Sequence, residues 1–440
     1  MTHTIGMISL GCAKNQVNAE HMLWLLRQAG YEISPDPDGA ELVIVNTCGF
    51  IESAKTEAID NILAMAQLKA EGRIQKILVT GCLAQRYQEE ILQEMPEVDG
   101  VLGTGSYFDV ANAVGQVLSG KRYKRFDDIN ADQSEDGRIL TTPEYYAYLK
   151  IAEGCDNCCA YCVIPRLRGR YRSRPMNELL DEASELASAG VKELIVIAQD
   201  ITRYGTDLNG EHQLAALLRE LCKLDFHWIR LHYLYPDDIT DELIDTIAQE
   251  EKIVPYLDIP IQHCNDDILK EMNRRDTKES IRKVFHDLRA RIPGLVLRTS
   301  IIAGLPGEGE KEFEELCDFL REEKIERAGV FPFSPEEGTK AATMEHVPME
   351  EAQRRTELLV DVQSDIIDEY NESVLGDVRE VLCEGWSEEA QSYVGRSYAE
   401  SVDIDGKIYF SAERDIMAGE FVNVRLTGTM DGELTGEAVE

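Results

Sequence analysis

Four cysteines lie within eight positions of the segment GCDNCCAYCVIP, namely Cys155, Cys158, Cys159 and Cys162. Thiols at this density are typically metal or cluster ligands. Because Cys158 and Cys159 are adjacent in the chain, their side chains diverge, and three ligands are expected rather than four. The spacing leaves two ligand sets open, one through Cys159 and one through Cys158. It also leaves structural zinc open beside an iron–sulfur cluster.

A second set of three cysteines shares one local context. Cys12, Cys48 and Cys82 end the segments SLGC, VNTC and VTGC, each just past an apolar strand-like run and just before a helix-like stretch. They are 36 and 34 residues apart, and one βαβ unit takes ~30 residues or more. Because the carboxyl ends of parallel strands meet at one edge of a sheet, the three thiols are expected to converge there. A single cysteine at a strand end is more often a small buried residue, so it is the repetition that indicates ligands.

The remaining cysteines show no such pattern. The chain has 11 cysteines, an odd number that argues against a disulfide framework. Cys222, Cys264, Cys317 and Cys383 stand alone and are predicted to be packing thiols. The first residues, MTHTIGMISL, lack the basic and apolar regions of a secretion signal, and no later apolar run approaches the ~18 residues of a membrane helix. The sequence therefore predicts a cytoplasmic protein without a membrane partner.

Acidic residues outnumber basic ones, 82 against 45, which gives a formal net charge of −37. A field of this sign repels phosphate backbones and attracts cationic partners, so free nucleic acid is not expected as a partner. An acidic surface also serves solubility, and the composition alone leaves both explanations open.

Apolar strand-like runs alternate with longer helix-like segments over most of the chain, which is typical of parallel sheets covered by helices. The strands expected in residues 3–119 are Ile5–Leu10, Leu42–Val45, Ile77–Val79 and Val98–Leu102. Those expected in residues 141–372 are Tyr148–Ile151, Leu194–Ile197, Trp228–Tyr233, Tyr256–Ile261, Val296–Ile302 and Ala328–Phe333, before a long helix near Pro348 to Ser373. Short strands are expected in residues 373–440 at Val378–Leu382, Tyr393–Ser397, Ile408–Phe410 and Phe421–Leu426.

The predicted fold class is therefore α/β. Residues 3–119 are expected to form an open parallel α/β domain, residues 120–140 a polar linker, and residues 141–372 a barrel or partial (β/α) barrel. Periodicity does not separate a partial barrel from an open doubly wound sheet. Residues 373–440 are expected to form a small β-barrel.

A strand at Ser300–Ile302 runs into the glycine-rich turn AGLPGE, where a backbone without side chains can approach a ligand closely. By itself this turn is also compatible with an ordinary strand-to-helix connection.

The Cys-x-x-x-Cys-x-x-Cys register, with Tyr161 before its last cysteine, resembles the radical S-adenosylmethionine (SAM) superfamily. The resemblance implies that Cys155, Cys159 and Cys162 hold a 4Fe-4S cluster whose remaining iron binds SAM, and that Cys158 is a spare thiol. Cleavage of SAM by one electron would then yield a 5′-deoxyadenosyl radical. The turn after Ile302 resembles the superfamily's adenine-flanking motif. Tyr161, Ile302 and Gly304 are accordingly expected to contact SAM.

Over essentially its whole length the chain resembles the methylthiotransferases. The segments SLGCAKN, NTCGFIESA, QDITRYG, RLHYLYP and PYLDIPIQH are most similar to the RimO branch. That resemblance implies a second 4Fe-4S cluster on Cys12, Cys48 and Cys82, and two SAM molecules per reaction. The expected product is a methylthio group on the β-carbon of an aspartate in small-subunit ribosomal protein S-twelve. An electron donor and a sulfur source are required, and no catalytic residue beyond the cluster ligands is expected.

Two other functions remain open at this level: methylthiolation of adenosine in transfer RNA, and a non-enzymatic iron–sulfur electron carrier or redox sensor. The tail resembles a TRAM domain, yet residues 373–440 contain fifteen acidic and five basic residues, a balance that suits a basic ribosomal protein. The basic segment RLRGRYRSR follows the cluster loop. Its Arg168 and Arg174 are expected to balance the charge of clusters and cofactor, or to organise the loop.

Overall fold

The computed structural model describes residues 3–131, 135 and 137–439. Residues 132–134 and 136 of the predicted linker, and residue 440 of the predicted β-barrel domain, lie outside the described residues. Among the described residues, no helix is both long and apolar enough to cross a membrane.

The first sheet has six strands, all parallel, in the order β2-β1-β3-β4-β5-β6. Its strands are β1 (Thr4–Ser9), β2 (Glu32–Ser34), β3 (Leu42–Thr47), β4 (Lys76–Gly81), β5 (Gly100–Leu102) and β6 (Tyr123–Arg125). Its helices are α1 (Ala13–Gln28), α2 (Glu52–Ala70), α3 (Cys82–Tyr87), α4 (Glu90–Glu94) and α5 (Val110–Leu118). Apolar side chains of α2, α3 and α4 bury one face of the sheet, and those of α1 and α5 bury the other.

The second sheet also has six parallel strands, in the order β14-β13-β12-β11-β10-β7. It does not close, because β7 and β14 remain its two edges. Its strands are β7 (Tyr146–Lys150), β10 (Glu193–Ile197), β11 (Trp228–Leu231), β12 (Ile253–Asp258), β13 (Val296–Ala303) and β14 (Arg327–Pro332), and a short antiparallel pair joins β8 (Ala152–Glu153) to β9 (Arg172–Ser173).

Helices pack their apolar faces on the outside of this second sheet and form the largest core of the protein. The helices of this region are α6 (Ile164–Arg168), α7 (Met176–Ser188), α8 (Thr206–Asn209), α9 (Leu214–Leu221), α10 (Asp241–Gln249), α11 (Asp266–Glu271), α12 (Lys278–Arg291), α13 (Glu310–Glu323) and α14 (Met349–Ser373). Helices outside and parallel strands inside are the arrangement of a (β/α) barrel, here a partial one.

The chain ends in a closed five-stranded barrel with the order β15-β16-β17-β19-β18. Its strands are β15 (Val378–Ser387), β16 (Ser392–Arg396), β17 (Ile408–Ser411), β18 (Phe421–Met430) and β19 (Glu433–Ala438). Residues 397–405, between β16 and β17, form a lumen loop that enters the inner face of the partial barrel. There Val402 packs with Tyr146 and Tyr148 of β7, and Val17 of α1 joins the same apolar cluster.

The predicted fold class is confirmed, and every predicted strand overlaps an observed one. The elements that the sequence pattern missed are β2, β6, β19 and the β8–β9 pair. The residues predicted as linker contain β6, whose polar sequence Tyr123–Arg125 lacks an apolar run because it lies at the sheet edge. The domain boundaries themselves stay predictions.

Candidate functional site

The cysteines of the first set follow three strands that are neighbours in the first sheet. Cys12 caps the amino end of α1 after β1, Cys48 directly follows β3, and Cys82 begins α3 directly after β4. The structure therefore places all three at the carboxyl edge of adjacent strands. A side chain at Gly11, whose φ is +89°, would lie 2.7 Å from Cβ of Cys48, so this glycine lets the turn before Cys12 pass close over Cys48.

The surroundings shift the pKa values of the three thiols of this set in different directions. Burial opposes ionisation of Cys12, but the charges of Lys14 and Arg168 and two backbone N–H groups lower its pKa below the ordinary value. Burial and the neighbouring Cys82 raise the pKa of Cys48 to about 11. The pKa of Cys82 is also raised, mainly by burial, although Arg168 opposes that shift. A positive centre is therefore needed to hold all three as thiolates.

The second set lies in the loop that follows β8. The N–H of Cys155 donates to the carbonyl of Gly169 at 3.2 Å, and the N–H of Cys162 donates to the carbonyl of Cys159 at 3.0 Å. Cys155, Cys159 and Cys162 are half-buried, whereas Cys158 is exposed, and its φ of +52° turns it out of the run. The structure thus distinguishes Cys158 from the other three, and the ligand set itself stays a prediction.

The charges around this loop also disfavour free thiolates. Burial, together with Asp200 and Cys159, raises the pKa of Cys155 to about 12. The pKa of Cys162 is raised by burial and by the other cysteines of the loop. Metal coordination ionises a thiol outright, so a bound positive centre would relieve this penalty.

Each donor set consists of three cysteine thiols. Among the described residues, no three histidine, cysteine, aspartate or glutamate side chains converge closely enough to hold one metal ion. A zinc site needs its ligands within bonding distance of one atom. Three thiols of a 4Fe-4S cluster bind three different irons and therefore stand farther apart. The all-cysteine donor set is the one that such clusters use.

Arg168 connects the two cysteine sets. It ends α6, the helix that begins just after Cys162, and its side chain is almost fully buried. Its Nη2 donates to Oδ1 of Asn15 at 3.0 Å, three residues from Cys12, and its Nη1 lies 3.3 Å from Oε2 of Glu153, two residues before Cys155. Its charge also acts on Cys82, whose pKa it lowers against the effect of burial.

Apolar contacts bring the two sets together at the same place. Cys82 belongs to a small buried cluster with Val163 and Leu167, and Phe50 packs against it. Val163 directly follows Cys162, and Leu167 precedes Arg168. The start of α3 in the first domain therefore lies against α6 of the second, and the two cysteine loops adjoin.

Glu153 organises the buried polar groups beside the second set. Although burial opposes ionisation, Lys150 and Arg168 lower the pKa of Glu153 to about 2. Its carboxylate therefore only accepts hydrogen bonds, and it accepts one from Nε2 of Gln199 at 2.9 Å. That bond fixes the orientation of the amide, and Oε1 of Gln199 is left buried without a donor among the described residues.

Lys14 provides a second contact between the domains. Its ammonium lies 3.3 Å from the ring centroid of Tyr233, which follows β11 at a φ of +67°. Burial opposes the charge of Lys14, yet Tyr233, Cys12 and Asp258 together raise its pKa. The first domain therefore presents a charged lysine to the inner rim of the partial barrel.

The predicted SAM contacts have two different placements. Tyr161 and Ile302 pack against the same buried cluster, with Leu305 and Phe333, so the structure brings them together. Gly304 contacts other residues instead. Its N–H donates to Glu308 at 2.9 Å, and a side chain on it would lie 2.5 Å from Cβ of Ala352. Its φ of +81° and the close approach of α14 explain the glycine. Its contact with SAM stays a prediction.

The remaining sequence expectations are resolved by burial and pairing. Arg174 is paired with the carboxylates of Glu135 at 3.3 Å and Glu182 at 2.6 Å, so it organises the loop and its neighbours. The four isolated cysteines, Cys222, Cys264, Cys317 and Cys383, are all buried.

Sequence reasoning missed Gln199 as a ligand candidate. Its signal was the position of QDITRYG at the carboxyl end of β10, where parallel sheets bind ligands.

Three family descriptions match this chain. Residues 4–103 match the uncharacterized protein family UPF0004, residues 149–320 the radical SAM superfamily, and residues 375–439 the TRAM domain. Among solved structures, the radical SAM methyltransferase TsrM from Kitasatospora setae covers 75% of this chain and 73% of its own, with a TM-score of 0.56 at 14% identity. At that identity the likeness shows a shared fold.

Curated relatives match over the full length. The chain is 47% identical over 436 residues to ribosomal protein uS12 methylthiotransferase RimO of a Thermoanaerobacter species, covering 98% of this chain and 99% of the relative. It is 48% identical over 439 residues to the protein of that name from Pelotomaculum thermopropionicum, covering 99% of each. With its front domain, radical SAM core and closed TRAM barrel in this order, the chain belongs to the RimO family of methylthiotransferases.

Proposed function

We propose that this protein inserts a methylthio group at the β-carbon of an aspartate in ribosomal protein uS12, using two 4Fe-4S clusters and two SAM molecules. Cys155, Cys159 and Cys162 would hold the cluster that serves SAM cleavage. Cys12, Cys48 and Cys82 would hold the cluster that serves sulfur transfer. A ribosomal substrate puts the proposed reaction in the cytoplasm.

The observation that carries this proposal is the junction between the two cysteine sets. Sulfur insertion after hydrogen abstraction requires that the radical source and the sulfur source reach the same carbon atom. Cys82 packs on Val163, the residue after Cys162, and Arg168 contacts Asn15, near Cys12, and Glu153, near Cys155. An electron carrier with two clusters would need no SAM-binding core, whereas residues 149–320 of this chain match the radical SAM superfamily.

When bound, the cluster on Cys155, Cys159 and Cys162 would supply the electron for hydrogen abstraction, and SAM would supply the 5′-deoxyadenosyl group. The chain's own residues would bind and orient the reactants. Tyr161 and Ile302 would provide an apolar wall, and the free Oε1 of Gln199 would accept a hydrogen bond from SAM's ammonium or ribose. Glu153 would keep that amide turned toward the ligand.

Lys14 and Arg168 would offset negative charge at the first cysteine set. A cluster held by three thiolates is anionic, and the pKa of Cys12 is already lowered by these two cations. Both side chains are buried, so solvent screens them little. Their place between the domains keeps compensating charge at the junction without exposing it to water.

The proposed substrate class is supported by charge and by the relatives. The curated relatives with 45–48% identity are named for uS12. A net charge of −37 favours a basic ribosomal protein and opposes bare transfer RNA. Mass spectrometry of ribosomal proteins and of digested transfer RNA from a deletion strain separates the two substrates. Loss of a methylthio mark from RNA alone would contradict the proposal.

Alanine variants in each cysteine set test the division of labour. Replacing Cys155 should abolish formation of 5′-deoxyadenosine from SAM, whereas replacing Cys12 should leave cleavage intact and stop sulfur insertion. Each variant should lose about one cluster's worth of iron, because the thiolates bind the metal directly. Equal loss of SAM cleavage in both variants would refute the assignment. If the reduced wild-type protein produced no 5′-deoxyadenosine at all, the radical chemistry itself would be refuted.

A further inference from the structure

Lys14 is a buried cation that no carboxylate of the described residues neutralises. Three lysines are buried in the part of the chain that the structure describes, namely Lys14, Lys55 and Lys150. The Nζ atom of Lys55 lies 3.3 Å from the carboxylate of Glu336, and that of Lys150 lies 2.6 Å from the carboxylate of Glu135. Lys14 forms no ion pair of this kind with any described residue. Because burying an ammonium without a counter-ion is costly, its charge is available to a ligand.

The contacts that Lys14 does make hold its ammonium without neutralising it. The ammonium lies 3.3 Å from the ring centroid of Tyr233, and an aromatic face carries only a partial negative charge. Asp258 acts on the ammonium from beyond ion-pair distance. One oxygen of this carboxylate accepts from Nη1 of Arg298 at 2.8 Å, and the other accepts from the N–H of Tyr233 at 3.3 Å. The charge of Asp258 is therefore already paired.

The backbone at Tyr233 is fixed from two sides. Its carbonyl accepts from the N–H of Ile201 at 3.0 Å. The neighbouring His232 is hydrogen-bonded through Nε2 to the hydroxyl of Ser401, in the lumen loop, at 2.8 Å. The ring that holds Lys14 is thus anchored both in the partial barrel and by the TRAM barrel. A charge held in this way is in place before a ligand arrives, so binding does not have to order it.

Lys14 also lies beside the first cysteine set. It belongs to the first turn of α1, two residues after Cys12. Cys12 is surrounded by protein, yet its surface is accessible, and Tyr233 is only half-buried. An opening therefore lies between the first domain and the inner rim of the partial barrel, next to the ammonium.

We propose that Lys14 binds the carboxylate of the substrate aspartate and thereby selects this residue for sulfur insertion. The inference rests on the proposed function, which brings the β-carbon of an aspartate to the first cysteine set. This carbon is bonded directly to the carboxylate carbon, so a full negative charge enters the junction with it. The thiolates of the first set and their cluster repel that charge, and a fixed ammonium offsets the repulsion. The ammonium donates a hydrogen bond to the carboxylate, and no proton is transferred.

The same charge disfavours neutral substrates. An adenine base offers no carboxylate to Lys14, so it would leave the buried ammonium unpaired. Asparagine has nearly the shape of aspartate but lacks its charge. A site built around a buried polar group rejects the analogue that leaves this group without a partner. The preference for aspartate over asparagine at the target position therefore measures the contribution of Lys14.

The test measures the binding of two forms of uS12 to the full-length protein, with both clusters reconstituted and without SAM. One form is native uS12, and the other carries asparagine in place of the aspartate that bears the methylthio mark. Both forms are titrated by calorimetry against wild type, Lys14→Met and Lys14→Arg. The control is Lys121→Met, which removes the same charge from an exposed site between α5 and β6. Iron content is measured for every variant.

Wild type and the Lys121→Met control should bind native uS12 about tenfold or more tightly than the asparagine form, as expected for a charge-assisted hydrogen bond. Lys14→Met should bind the two forms with affinities within about twofold of each other, because the ammonium that distinguishes them is gone. Lys14→Arg should keep a preference for the native form, since it keeps the charge. A lysine that acted only on the cluster would change both affinities alike and leave the preference intact.

An undiminished preference in Lys14→Met, with the iron content of wild type, would overturn the proposal. Equal affinities of wild type for the two forms of uS12 would also overturn it. This second criterion needs no variant, so it holds even if Lys14→Met loses its clusters. Failure of the proposed function has a different signature, because no methylthio group would then appear on native uS12 after reaction of wild type with SAM and a reductant.

Discussion

Glu193→Gln should weaken the attachment of the TRAM barrel to the partial barrel. The Glu193 carboxylate is fully buried in β10, where it accepts from Nε of Arg230 at 2.7 Å and from Nη2 of Arg396 at 2.8 Å. Arg396 belongs to β16, so this carboxylate joins the two domains through a pair of buried guanidinium groups. The neutral amide keeps the shape but removes the carboxylate that the two cations share, which leaves Arg396 with Glu384 as its remaining counter-ion.

The magnitude follows from the pKa of Glu193. Burial opposes its ionisation, but Arg396 and Arg230 lower the pKa from 4.5 to about 2. A lowered pKa stabilises the folded state at pH values above the ordinary pKa of the carboxyl group. This contribution is lost as the pH falls from about 4.5 to about 2. It amounts to roughly 3 kcal/mol at pH 7 and roughly 2 kcal/mol at pH 3.5. Removing one partner of a buried ion pair costs about 3–5 kcal/mol, which is of the same order.

Native-state proteolysis measures the opening directly, with thermolysin at pH 7 and pepsin at pH 3.5. A loss of ~3 kcal/mol raises the open population, and with it the cleavage rate, roughly 100-fold. The matched control is Glu242→Gln, whose partner Arg219 lies at the surface, and exposed pairs contribute less than about 1 kcal/mol. The reasoning is refuted if Glu193→Gln and the control are cleaved at similar rates at pH 7. It is also refuted if the ratio of the two cleavage rates is not smaller at pH 3.5 than at pH 7.

Three further variants test the site. Cys158→Ala should retain full iron content and SAM cleavage, since the thiol is exposed. Loss of a cluster in this variant would mean that Cys158, and not Cys159, is the middle ligand. Gly304→Ala should destabilise the fold by about 1–3 kcal/mol in urea denaturation, because φ is +81° and Ala352 fills the space; unchanged stability would contradict that contact. Gln199→Leu should weaken SAM binding in calorimetry while Glu153 and the cluster iron remain; unchanged affinity would remove Gln199 from the SAM site.

Much of the fold could be predicted because its signals are local. The apolar pattern of each strand and the amphipathic pattern of each helix are contained in a short stretch of sequence. All predicted strands overlap observed ones. The strands that were missed are short, polar or at edges, and β6 is an example: its three residues pair only with β5. Such a strand is stabilised by its neighbour, so its own sequence carries little signal.

The roles of the basic segment could not be separated by sequence alone. Arg168 and Arg174 are six residues apart in one basic segment. Arg168 donates to Asn15 in the first domain, whereas Arg174 pairs with Glu135 and Glu182. The partner of a buried guanidinium is decided by which carboxylates the fold brings to it. Those partners are distant in sequence.

By itself, the sequence determined the order of the elements, and it placed Cys12, Cys48, Cys82 and the loop of the second cysteine set just beyond strands. These features depend on periodicity and on where a strand ends. The tertiary structure alone decided that the two sets adjoin and that the lumen loop enters the partial barrel. Arg168 and Asn15 are 153 residues apart, and Ser401 and His232 are 169 apart. Contacts over such separations exist only once whole domains have packed.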